Sequence, residues 1–162
     1  MKKLIIVLLL AALVAGSGWA LETVEIGVGV KTGVAYQVYY DAMLFAGGAF
    51  QVIAPIMTGG GIGGEIDVFY FGDFDDLGDN WYILLPILLK TRLPASFGYF
   101  DFGAGLEVIF GNDESVAFHV LVGFSFRAGP GYFNLEFRGS TDFDSWTWRD
   151  YVGGVIGYTF AF

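Results

Sequence analysis

The chain has no cysteine, one histidine, four prolines and few charges. Without cysteine there is no disulfide scaffold, no thiolate metal site and no lipidated N-terminal cysteine. A single histidine gives too few nitrogen ligands for a zinc site. Cations are scarce, with 8 Lys and Arg against 17 Asp and Glu and a net charge of −9. No basic groove for nucleic acid can be built from that set. Only 15% of residues are charged and 55% are hydrophobic. A soluble domain this apolar needs long buried helices or continuous core strands, and neither pattern occurs.

One unbroken apolar run stands at the start, over residues 4–15, behind Lys2 and Lys3. Gly18 and Ala20 follow as small residues two apart. Basic, apolar and small-residue regions in that order read as a secretory signal peptide over 1–20. The run is too short to span a bilayer as a helix, which takes ~20 residues. Residues 21–162 are then expected to form a single mature domain.

Period two dominates that domain. Phe100, Phe102, Ala104, Leu106, Val108 and Phe110 share one parity. Asp101, Gly103, Gly105 and Glu107 share the other. Phe118, Val120, Val122, Phe124 and Phe126 alternate with Ala117, His119, Leu121, Gly123, Ser125 and Arg127. Alternation of this kind marks strands with one apolar and one polar face. It predicts eight strands, near 23–33, 43–56, 61–71, 80–92, 98–110, 116–127, 131–140 and 151–162, with ends good to ~2–4 residues. The parity of Val24 continues through Val34, Tyr36 and Val38, so the first strand can run further.

The connections alternate in character. Turn-like segments stand at 58–60, 93–96 and 129–131, each with Gly or Pro. Polar or acidic stretches stand at 31–41, 72–80, 111–115 and 139–150. Short turns at one end and longer loops at the other suit a transmembrane barrel with an even strand count. Aromatic residues gather at both rims. Trp81, Trp146, Trp148 and Tyr151 lie on the loop side, and Phe126 and Tyr132 lie on the turn side, as an interfacial girdle would require. In hydrocarbon an open strand edge costs several kcal/mol per unpaired group, so the sheet has to close. The expected fold is all-β: a closed, antiparallel, up-and-down transmembrane β-barrel. A soluble β-sandwich also alternates, but it would expose large apolar patches that need a partner.

Gly157, Phe160 and Phe162, with Tyr158 between them, resemble the terminal signal of outer-membrane barrels that the assembly machinery reads. Val155 stands where that pattern usually carries a polar residue. The stretch from Trp81 to Pro94 resembles a strand of small outer-membrane β-barrel domains of OmpA and OmpX architecture. The resemblance implies a cell outer-membrane location. It also implies outer-membrane lipids and the barrel-assembly machinery as partners, and says little about activity.

Inward parity collects Glu25, Lys31, Glu65, Asp67, Lys90, Arg92, Asp101, Glu107, Arg127, Glu136 and Arg138. Charges inside a small barrel must pair. Lys90 and Arg92 should meet Glu65, Asp67 and Asp101, and Glu136 and Arg138 should face Glu25 and Lys31. The expectation is a charge network that fills the lumen. Inward glycines leave room for these long side chains, or for a narrow path.

Three motifs carry little. His119 has Leu121 two residues on and Ser125 six away, ~20 Å at ~3.3 Å per residue, too far for a base to reach a nucleophile. A triad with Ser115 or Glu107 stays open. Gly59, Gly61 and Gly64 satisfy G-x-G-x-x-G but precede a strand, so they fit a hairpin better than a nucleotide site. The acidic stretch with Asp73, Asp75, Asp76 and Asp79 lacks the spacing of a calcium loop. No metal and no cofactor is expected. The expected role is a non-enzymatic envelope protein, structural or displaying its loops to a surface partner. A narrow channel for small or hydrophobic solutes is the alternative, and a lipid A-modifying enzyme stands third.

Overall fold

A computed structural model describes residues 24–37, 42–57, 59–72, 81–111, 115–142 and 151–162. Residues 1–20, expected from the sequence to be a signal peptide, lie outside them. Every element among the described residues is a strand: β1 (Glu25–Gln37), β2 (Ala42–Met57), β3 (Gly60–Gly72), β4 (Trp81–Ala95), β5 (Gly98–Phe110), β6 (Ser115–Ala128), β7 (Gly131–Asp142) and β8 (Tyr151–Ala161). Each pairs antiparallel with the next, and β8 pairs with β1, so the sheet is a closed up-and-down barrel. The β1–β8 seam runs from Gly27↔Ala161 to Gln37↔Tyr151. Ile26 and Phe162 extend it by exchanging backbone hydrogen bonds of 3.2 and 2.9 Å.

β1 runs to Gln37, so most of 31–41 is strand rather than a polar connection. The reason is visible in the sequence: Val34 and Tyr36 keep the outward apolar parity of Val28 and Val30. At the turn end, Gly59 and Gly129 take φ of 85° and 62°, a left-handed backbone that tight hairpins require and that glycine adopts without a Cβ clash. Pro86 lies inside β4 and has no N–H to donate. Partners in the β3–β4 ladder run to Ile66↔Ile87 and resume in the same register at Phe69↔Leu84, on either side of it.

The two faces differ sharply. Outward positions carry Val30, Val68, Leu89, Phe102, Val122, Phe137 and Ile156, each more than a third exposed. Inward positions carry the buried polar set. Among the described side chains Arg127 is the only exposed charged one. The barrel is therefore apolar outside and polar through much of its interior.

Candidate functional site

The lumen is the site the fold builds. It has three tiers from the turn end to the loop end.

The turn-end tier centres on Arg92 of β4. Its Nε donates to Asp101 at 3.0 Å and its Nη1 donates to Glu25 at 2.7 Å. Its guanidinium carbon lies 4.7 Å from the ring centre of Tyr132 and 5.1 Å from that of Tyr99. The Tyr132 hydroxyl donates to Glu25 at 2.8 Å. Ser125 donates to Asp101, and the Asn134 amide donates to Thr159 at 2.8 Å. A cleft of about 400 Å³ opens at this end, bordered by Glu25, Arg127, Tyr132 and Phe162.

The middle tier holds three cations and three carboxylates. Lys31 lies 2.7 Å from Glu65, 2.9 Å from Glu136 and 3.4 Å from Asp67. Lys90 lies 2.6 Å from Glu65 and donates to Gln51 at 3.2 Å. Arg138 donates to Asp67 at 2.5 Å, to Glu65 at 2.6 Å and to Glu136 at 2.6 and 2.8 Å. Lys90 also stands 3.5 Å from Asp101, which joins this tier to the one below. Isolated buried charges are costly, and only matched partners with good hydrogen bonds offset their desolvation. Equal numbers and multiple contacts meet most of that condition, while Asp67 Oδ1 and Glu136 Oε1 face the Lys31 ammonium at 3.4 and 2.9 Å without a hydrogen bond. The Lys31 ammonium sits where three carboxylates converge, and no metal-ligand cluster is present among the described residues.

The loop-end tier is half apolar. Phe45, Phe69, Phe71, Leu84, Tyr151, Val155 and Ala35 form a buried cluster. Beside it, Glu107 accepts from Ser140 at 2.8 Å, from the Tyr151 hydroxyl at 2.8 Å and from His119 Nδ1 at 2.9 Å. With Glu107 ionised, its oxygens can only accept, which places the proton of His119 on Nδ1. His119 Nε2 is buried without a partner among the described residues.

Nine of the eleven expected lumen charges thus join one network: Glu25, Lys31, Glu65, Asp67, Lys90, Arg92, Asp101, Glu136 and Arg138. Glu107 belongs to a separate cluster. Arg127 is exposed at the turn end and makes no ion pair among the described residues, because its strand ends there and the side chain reaches the open mouth. Tyr132 and Tyr151 are 6% and 7% exposed and point inward, so they do not belong to an outer girdle. Phe126 does lie outside, 5.1 Å from Phe133. Trp146, Trp148 and the side chain of Trp81 lie outside the described residues. At the C-terminus, Gly157 packs against Lys31, Tyr158 donates to the Ala128 carbonyl at 2.5 Å, and Phe160 and Phe162 are exposed.

The serine that reaches the acid of the His119 cluster is Ser140, not Ser115. No member of Glu107, His119 and Ser140 is more than 1% exposed. A general base has to come within ~3 Å of the proton it takes, and the three side chains of this cluster are closed off from solvent.

No protein family and no curated protein matches this chain. The closed eight-strand barrel is compatible with small outer-membrane barrels at the level of fold.

Proposed function

We propose that this chain is an integral β-barrel of the cell outer membrane with a structural or surface-display role, and that its lumen does not conduct. The observation that carries this reading is the inversion of polarity. The wall presents a continuous apolar surface, while Lys31, Glu65, Asp67, Lys90, Glu136 and Arg138 are buried inside. A soluble protein places those groups the other way round. Closure supports the same reading, since a barrel leaves no edge for hydrocarbon to strand.

Residues 1–20 then act as the export signal, the C-terminal residues Gly157 to Phe162 address the assembly machinery, and lipids cover the outer wall. The three filled tiers favour a closed lumen over transport. The burial of Glu107, His119 and Ser140 weighs against the lipid-modifying reading.

The test is direct. Unboiled and boiled protein in detergent should migrate differently, and the processed chain should begin near Leu21 and float with lipid vesicles. Recovery of the processed chain as a soluble periplasmic protein ends the proposal. A steady ion current from the wild-type barrel in planar bilayers turns the reading toward transport.

A further inference from the structure

We propose that the loop end of the lumen is closed by a ring seal latched to a polar cluster, and that this seal, not the ion network below it, keeps water out. The inference rests on the closed-lumen reading above and adds the device that closes it.

Phe45 and Phe71 stack at 4.6 Å with their planes 11° apart. Phe69 meets Phe45 edge-on at 5.0 Å. Tyr151 reaches the stack from β8 at 5.3 Å from Phe71. None of the four is more than 7% exposed. The wall is cut back to seat them. A Cβ at Gly33 would lie 2.7 Å from Phe45 Cζ, and one at Gly47 would lie 2.8 Å from Phe69 Cδ1. The same Cβ atoms would also collide with the Gly154 and Val68 carbonyls of the adjacent strands, so glycine at both positions serves the close approach of strands and rings together. An apolar constriction of this kind excludes water by dewetting. The ion network lacks that property, since charged groups attract water that reaches them and cannot repel it.

The latch is the Tyr151 hydroxyl. Its ring belongs to the seal, and its oxygen donates to Glu107 at 2.8 Å. His119 of β6 meets the same carboxylate oxygen, and Ser140 of β7 holds the other one. One phenol therefore ties the apolar half of the tier to the polar half, and three strands fix its acceptor.

The absence of cysteine gives a clean test. Ala117 is inward, fully buried and paired with Glu107 in the β5–β6 register. Ala117→Cys in the otherwise intact chain should react slowly with a cationic, water-soluble methanethiosulfonate. Adding Phe45→Ala and Phe71→Ala should raise the rate at least about tenfold, as local opening exposes the thiol. Adding Tyr151→Phe, which keeps the ring and removes the latch, should raise it about threefold. Adding Lys31→Met, which breaks the ion network instead, should leave it within about twofold. Unboiled-gel mobility confirms that each variant is folded, and Tyr151→Phe decides the matter if the double ring variant is not. Ring or latch variants that fold and label at the parent rate overturn the proposal, as does faster labelling with Lys31→Met than with either. Labelling is read in detergent micelles, and vesicle flotation of the same samples reads the membrane assignment separately.

Discussion

Arg138 on β7 donates to Glu65 on β3 at 2.6 Å, across the lumen between strands that are not neighbours in the sheet. The same guanidinium holds Asp67 and Glu136. It acts as a bolt between opposite walls. Arg138→Met leaves three buried carboxylates to two lysines. Breaking a buried pair from one side costs about 3–5 kcal/mol, because a charge is left uncompensated. The urea midpoint of the folded barrel in vesicles should fall accordingly. A midpoint equal to wild type would show that the middle tier is hydrated and not a packed ion cluster.

Lys31 and Glu136 stand 2.9 Å apart, which makes them a pair for a double-mutant cycle. Lys31→Met alone should destabilise, since Glu65, Asp67 and Glu136 lose a shared cation. Glu136→Gln added to it should recover part of the loss by restoring charge balance. Coupling of about 0.5–3 kcal/mol is expected for groups in one network. Additive single effects would mean that the two act independently.

Tyr132 separates two placements with one atom. Tyr132→Phe keeps the ring against Arg92 and removes the hydroxyl that Glu25 accepts from. An inward Tyr132 should lose about 1 kcal/mol, the net worth of one hydrogen bond. A girdle residue at the lipid surface would lose nothing. Equilibrium unfolding in vesicles distinguishes these.

The strands were legible because period two survives in nearly every one of them. Asp101 and Glu107, or Lys90 and Lys31, declare the wet face by their charge. Tyr132 was legible too, since it shares parity with Asn134 and Glu136, yet its bulk at a strand end suggested a girdle. Phe45, Phe69 and Phe71 lie on the inward parity of Gln51 and Asp67. They were missed because an apolar residue on the polar face carries no mark of its own. Cross-lumen partners were only partly readable. Neighbouring strands follow from chain order, but which height on β7 faces which height on β3 depends on how far each strand is staggered around the closed wall. That stagger puts Arg138 beside Asp67 and leaves Glu107 to His119 and Tyr151.

Val122 tests the solvent of the outer wall. It is half exposed at the middle of β6, between Phe102 on β5 and Phe137 on β7. Nothing polar in its register neighbours can receive a charge there. In a bilayer an arginine near the midplane of a barrel wall costs about 2–4 kcal/mol. On a water-facing wall an exposed substitution stays within about 0.5 kcal/mol. Val122→Arg should therefore lower stability in vesicles by several times the effect of Val122→Leu, which keeps the surface apolar. The lumen is untouched by either change, so the difference reports the outer face alone. Equal stability of the two variants would mean that water, not lipid, covers this wall, and the buried charges would then need a different explanation.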